Sequence, residues 1–537
     1  MKNSVKKVLL GVSAIAMLSS GLIGCRNNAD NPNQIDIYVV NAGYRYEWVN
    51  AIKELFLQED WVKEKYPNLA VSIYQNDNQT YAETIMDAGR SSNKFDLMFS
   101  MNLAKFSGHE DALDLTDVVY NKEIPGTTTL YKDFLNSSFL KSYEYYPKGD
   151  TSGEPRYYFA PWAGGMNGIV YNATFFEQRN YKVPNTTDEL VAICKDFRDA
   201  TYKADDKLNS QYCFIQGKDE SYFNNLFDVY WTQYQGIDGY IDFWNGIDDG
   251  TLSKGIFTQQ GRLKSLNVYK QLLTESEHFV SPSSDSQTFM ASQRNFLKGA
   301  ALFNTNGDWF VSEMKEIKED IIAHGGANYT FKMMKTPIVS SVIEKCDTIE
   351  NDAELSALVT AIDNSDSSLT GEGYEVSQED YDKIREARRV IHSYGATHQA
   401  IIPSYALAKD AAVDFVRFMA TDKAQDAYIK ATDGASLPFN YNLKEKNPTL
   451  FNEIDPLHQD RINYVTSSFT NAYTLPSKYN FPLNKYGHVD AFYLSNGYDF
   501  FTKIRKDGKE PQQYYDDTIA YYTDTVWNDT LRNAGLK

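Results

Sequence analysis

Residues 35–40 read IDIYVV, a short apolar run rich in β-branched side chains. A polar loop, NAGYRYEW at 41–48, follows it, and then Val49, Ile52, Leu55, Phe56 and Val62 recur at helical spacing until Pro67. A second strand-like run over 69–74 leads to a short helix around 81–88, and FDLMF at 95–99 reads as a third strand. Strand, helix and strand repeated in this way predict an α/β lobe with a largely parallel sheet. Ligands of such sheets sit beyond the carboxyl ends of the strands. The loops at those ends are 41–48 and 100–105, so a binding site is expected there.

The N-terminus sets the compartment. Lys2, Lys6 and Lys7 form a positive region, VLLGVSAIAML at 8–18 an apolar one, and small residues follow, which is the layout of a secretory signal. The apolar segment is too short and too interrupted by Gly and Ser to span a bilayer. It ends in Leu22-Ile23-Gly24-Cys25, which resembles the lipobox of bacterial lipoproteins. That resemblance implies cleavage before Cys25, lipidation of its thiol (palmitate) and an anchor on the extracellular face of the cell membrane. The polar stretch 26–34, RNNADNPNQ, then reads as a tether.

The whole chain carries a net charge of −19, which becomes −22 when Lys2, Lys6 and Lys7 leave with the signal. A surface this acidic disfavours nucleic acid and anionic headgroups. After Cys25 only Cys194, Cys213 and Cys346 remain, an odd number without metal-ligand spacing, and they read as mostly buried thiols. No metal or cofactor is expected. The length that follows the signal suits two or three domains.

Four further blocks carry a resemblance. PWAGGMNGIVYN at 161–172 continues into residues 173–178 and then Pro184-Asn185-Thr186-Thr187-Asp188-Glu189-Leu190, where Thr186 or Thr187 can cap a helix with Glu189 in its first turn. FLKGAALFNTNGDW occupies 296–309, a helix-to-strand stretch ending in a Gly-Asp-Trp loop. Residues 401–425 read as a strand followed by a helix with Val413, Val416, Met419 and Ala420 on one face, and DGASLPF follows at 433–439. In this order the blocks resemble the family 1 extracellular solute-binding proteins, the maltose-binding protein group.

The resemblance implies a two-lobed, type II periplasmic-binding-protein-like α/β fold whose discontinuous lobes are joined by hinge crossings. Lobe one is expected over 35–160 plus 397–440, and lobe two over 163–395 plus 441–537. Residues 344–380 are acidic and rich in Ser, Thr and Gly, and they are expected to be an insertion on lobe two, a solvated surface loop whose carboxylates lack any recognised Ca²⁺-loop spacing.

The implied function is that of the substrate-binding lipoprotein of an ABC importer, which captures a carbohydrate between its lobes and delivers it to the permease. Sugar sites need flat aromatic faces for the C–H surfaces of the rings, and amides, carboxylates or backbone groups for the hydroxyls. Aromatic residues make up 14% of the chain, with 39 Tyr and 7 Trp, so position must select among them. The resemblance assigns a stacking role to Trp309, and to Tyr493 in the C-terminal aromatic stretch. Trp162 and Asn167 lie in the interlobe segment beside glycines, and Tyr44 and Tyr46 in the first strand-to-helix loop, where Trp48 can instead open the buried face of the helix. Asn41, Asn102, Asn306 and Asp308 fall at predicted strand ends. Trp231, with Tyr234, lies in FDVYWTQYQG, whose aromatic density fits cleft or core.

Gly165, Leu103 and Ala104 stand where the maltose-binding protein carries charged ligand contacts, which argues for a glycan other than maltose. No His-Glu-x-x-His, Gly-x-Ser-x-Gly or phosphate loop is present, and seven His residues are scattered, so no catalytic residue is assigned. Three alternatives stay open at this point: a non-sugar cargo such as a peptide or polyol, a ligand sensor, and a tethered glycosidase. The expected partners are an oligosaccharide, the importer permease subunits and the membrane reached through Cys25. A monomer is expected.

Overall fold

A computed structural model describes residues 31–147, 153–218, 222–371, 373–466, 472–476, 478, 481–484, 504–506 and 509–537. Cys25 and Tyr493 therefore lie outside the described residues. Two sheets organise the rest, each at the heart of one α/β lobe.

In the first lobe the strands run in the order Ala70–Asn76, Gln34–Val40, Leu97–Met101, His398–Ile401 and Ala160–Pro161. Gln34–Val40 is parallel to both of its neighbours, pairing Ile37 with Ile73 and Leu97, while His398–Ile401 runs antiparallel to Leu97–Met101 and to Ala160–Pro161. Every residue from 35 to 40 is buried, as befits a strand covered on both faces. The following helix, Glu47–Gln58, buries Trp48, Val49, Ile52 and Phe56 and packs against the helix Asp422–Ala431. Trp48 thus opens the buried face of that helix. The carboxylate of Asp96 accepts from the backbone N–H groups of Asp36, Leu407 and Ala408, tying the early strands to the segment that returns three hundred residues later.

The second sheet has the order Phe331–Met334, Asn167–Asn172, Ala301–Gly307, Tyr212–Phe214, of which only the last pair is parallel. Its flanking helix Thr187–Thr201 is capped by Thr186, whose hydroxyl accepts from the N–H of Glu189, with Asp188 and Glu189 in the positive first turn. Leu190, Cys194 and Phe197 face the core. Cys194 and Cys213 are buried free thiols, and Cys213 Sγ donates to the carbonyl of Cys194.

The acidic segment 344–380 is not the solvated loop its composition suggests. Asn351 caps a helix over Asp352–Asp363 that buries Leu355, Leu358, Val359 and Ile362, and a second helix, Gln378–Arg389, buries Tyr381 and Ile384 in the same core. Two of its acids, Asp363 and Asp380, are used internally. Asp380 accepts from the backbone N–H groups of Asp347 and Thr348 and from the Thr348 hydroxyl, and Asp363 pairs with Lys335 and Arg388. The polar residues counted as loop formers are caps and turn residues between apolar helical faces.

After the segment 434–440 the chain packs further against the first lobe. Leu443, Leu450, Phe451 and Ile454 cluster with Ile429, while Tyr441 and Asn447 both donate to Asp426. The helix Pro456–Thr466 then packs on Phe331–Met334 of the second sheet. No helix among the described residues is long and apolar enough to cross a membrane.

Candidate functional site

The chain crosses between the two lobes beside Gly164 and Gly165, at 392–397 and beyond 434. These strands are close enough that side chains would interfere. A Cβ on Gly395 would lie 2.2 Å from the carbonyl oxygen of Gly164, and Gly165 adopts a left-handed φ of 57° next to the Tyr44 hydroxyl.

Trp162 forms the floor of this junction. Its ring stacks on Trp48 with centroids 5.6 Å apart and planes at 11°, and its Nε1 donates to the Ser100 carbonyl at 2.8 Å. His398 lies edge-on to it at 4.7 Å. Burial holds His398 down to about 4, so its imidazole is neutral across the physiological range.

Tyr44 rises from the first strand-to-helix loop and reaches the opposite lobe. Its hydroxyl donates to Asp308 Oδ1 at 2.6 Å, and Arg461 Nε lies 3.2 Å from Asp308 Oδ2. Arg461 also donates to the Ser436 hydroxyl and the Gly434 carbonyl. Burial pushes the Asp308 carboxyl up, against the pull of Arg461 and of the Tyr44 hydroxyl, and the same burial, with Asp308 beside it, pushes the Tyr44 phenol well up. The result is a buried ion pair with an interlobe hydrogen bond.

Trp309 follows Asp308 on the second lobe but packs in the first lobe's core and is only 7% exposed. Three rings surround it: Tyr44 at 6.4 Å edge-on, Tyr222 at 5.6 Å and Tyr394 at 6.2 Å. Tyr394 binds two amides, donating its hydroxyl to Asn225 Oδ1 at 2.7 Å and its backbone N–H to Asn167 Oδ1 at 3.1 Å. His392, which burial and Lys478 hold down to about 3, stands 3.4 Å from the same Asn167 oxygen. An aromatic wall and neutral amides therefore converge where the lobes meet.

The residues expected at the site separate into two groups. Tyr44, Trp162, Asn167, Asp308 and Trp309 come together at this junction. The remainder do not join the ring cluster. Asn41 closes its strand by donating to Asp77 at 2.8 Å, Tyr46 is half-buried on the first lobe's core, and Asn102 is exposed with a left-handed φ of 58°. Asn306 is buried and donates to Asn304 while accepting from the Gly307 N–H, so both functions of its amide serve the strand end. Trp231 packs among Tyr240, Phe243 and Trp244 in the core of the second lobe, its Nε1 donating to Gln259, which resolves the choice between cleft and core.

Tyr222, Asn225, His392 and Tyr394 were not singled out from the sequence. A partial signal existed for the first two, which begin the helix after the strand Tyr212–Phe214 and so lie beyond a strand's carboxyl end. His392 and Tyr394 follow the two-residue strand Val390–Ile391, too short to be read from periodicity.

Two discontinuous α/β lobes that meet at an aromatic and amide junction define a two-lobed binding protein of the type II periplasmic kind. The chain belongs to the bacterial extracellular solute-binding proteins, whose family model matches residues 46–426. No curated protein matches it by sequence. Among solved structures it resembles a chain from a study of xylan utilization by the thermophilic bacterium Caldanaerobius polysaccharolyticus, at 15% identity and a TM-score of 0.57, covering 91% of this chain and all of the other. An ABC substrate-binding protein from Listeria monocytogenes in complex with cycloalternan is similar at 12% identity and a TM-score of 0.55, covering 94% and 99% of the two chains. A chitin oligosaccharide binding protein gives 13% identity and a TM-score of 0.53 over 94% and 99%.

Proposed function

We propose that this protein captures a carbohydrate, an oligosaccharide, between its lobes and delivers it to an ABC importer. The observation that carries the reading is the ring of Trp309 with Tyr222 and Tyr394 beside it, next to the amides of Asn167 and Asn225, at the point where one lobe meets the other. Flat rings suit the C–H faces of pyranoses, and neutral amides suit their hydroxyls. The solved relatives named for cycloalternan and for chitin oligosaccharide support the same class of ligand.

On this reading the function is conformational. Ligand enters an opened form, the crossings bend, and contacts made only when the lobes meet favour the closed form. That form presents both lobes to the permease. The lipobox-like Leu22-Ile23-Gly24-Cys25 supports a tether that keeps the monomeric protein at the extracellular face of the membrane, where local concentration favours delivery.

The test is thermal unfolding of the chain lacking residues 1–25 across xylo-, malto- and chito-oligosaccharides, peptides and polyols. Ligand at a hundred times its Kd stabilises by about 2.7 kcal/mol, visible as a raised midpoint. A shift with one glycan class and no new reducing ends supports capture without cleavage. Shifts confined to peptides or polyols would reject the carbohydrate reading, and reducing ends would make the protein a glycosidase.

A further inference from the structure

Asn167 and Asn225 are among the buried side-chain amides whose nitrogens find no partner among the described residues, and both contact Tyr394. Asn167 is 2% exposed, and its Oδ1 faces the Tyr394 backbone N–H, a group that can only donate, so the oxygen's position is fixed by chemistry. Its Nδ2 is then left buried with no acceptor among the described residues. Asn225, 5% exposed, accepts from the Tyr394 hydroxyl and likewise leaves Nδ2 buried without a partner among the described residues. Buried polar groups are nearly always satisfied, and one left without a partner is destabilising unless something else completes it.

The surroundings say what completes them. Both amides are held by one residue, Tyr394, whose ring neighbours Trp309, and Asn225 sits one helical turn from Tyr222, which neighbours the same indole. His392 is neutral and lies 3.4 Å from Asn167 Oδ1. A group that reaches these two amides meets their N–H donors, while the Asp308 carboxylate at the same junction is already engaged by Tyr44 and Arg461.

Building on the carbohydrate reading above, we infer that Asn167 and Asn225, positioned by Tyr394, select glycans that present an uncharged oxygen acceptor, a hydroxyl or an N-acyl carbonyl, and exclude protonated amino sugars. An ammonium group brings three donors and no acceptor, so it leaves the amide nitrogens unanswered while losing its own hydration.

Calorimetry with xylotetraose, maltotetraose, the N-acetylglucosamine tetramer and the glucosamine tetramer tests this. The wild type is expected to bind at least one of the three neutral tetramers and to bind the glucosamine tetramer at least ten-fold more weakly. Asn167→Asp replaces a donor by an acceptor of equal size, and is expected to weaken the neutral ligand roughly ten- to hundred-fold while narrowing the gap to the amine. Tyr394→Phe keeps the ring but removes the hydroxyl that orients the Asn225 amide, and is expected to weaken the neutral ligand when affinity is measured on the folded fraction. Should Asn167→Asp fail to fold, Asn225→Asp carries the same readout. Equal affinity of the wild type for amine and neutral tetramers, or variants within two-fold of wild type, overturns the inference and leaves the carbohydrate reading standing. Silence of the wild type toward every tetramer removes the carbohydrate reading itself.

Discussion

The phenolic hydroxyl of Tyr44, carried by the first lobe, donates across 2.6 Å to the carboxylate of Asp308, carried by the second. Opening the lobes separates these two groups. The bond helps to answer a buried carboxylate that Arg461 also contacts, at 3.2 Å. Tyr44→Phe removes the donor and leaves the ring, so the closed form should lose about 1–3 kcal/mol. Small-angle scattering of the ligand-free variant is expected to show a larger radius of gyration, and titration a weaker apparent affinity. An unchanged radius would mean that the bond does not govern closure.

Trp309 and Trp231 should behave oppositely. Truncating either indole to Ala removes a large buried ring, which destabilises cores by about 3–5 kcal/mol. Trp231→Ala is expected to lower the thermal midpoint while the folded fraction keeps its glycan affinity, because the indole lies inside the second lobe. Trp309→Ala is expected to abolish measurable glycan binding in the same assay.

Buried neutral histidines impose a pH dependence. His398 titrates at about 4 and His392 at about 3 in the folded chain, against roughly 6.5 when unfolded. Between those values the unfolded chain binds more protons, so stability rises with pH across that window and is lost on acidification. Asp460, which burial pushes up to about 6, acts in the opposite sense. The difference between wild type and His398→Gln isolates one group. Its stability slope between pH 4.5 and 6 should be shallower than wild type by about 1.4 kcal/mol per pH unit, measured by urea unfolding.

The segment 344–380 provides a fourth test. Because its helices are part of the second lobe's core, Leu358→Ala should lower stability by about 2–5 kcal/mol and Asn351→Ala, which removes a cap, by about 1 kcal/mol. Urea midpoints check both. A dispensable loop would tolerate each with no change.

How much of this was legible in the chain depended on the range of the interaction. The strands read at 35–40 and 95–99, found at Gln34–Val40 and, two residues later than expected, at Leu97–Met101, announce themselves as apolar runs, and Thr186 announces its helix because capping is local. The helices of 351–389 were hidden by composition: their Ser, Asp and Gly residues sit at caps and turns, and only the periodicity of Leu355, Leu358, Val359 and Ile362 reveals the buried face. At the junction, Trp309 and Asn167 could be picked out by their motifs. Tyr394 could not, since its role depends on bringing residue 394 beside residues 167, 225 and 309, and no spacing along the chain records that.

The placement of His398–Ile401 between Leu97–Met101 and Ala160–Pro161 sets a schedule for assembly. An N-terminal fragment ending before residue 398 holds four of the five strands of the first sheet but lacks the one that joins Leu97–Met101 to Ala160–Pro161. The first lobe therefore cannot mature as the chain emerges; it waits for a strand some three hundred residues downstream, by which time the second sheet is already complete in sequence. Contacts this distant slow folding and prolong the life of an open sheet edge. The order in which the two sheets are completed is inverted relative to the order in which they begin: the sheet begun first is the one closed second.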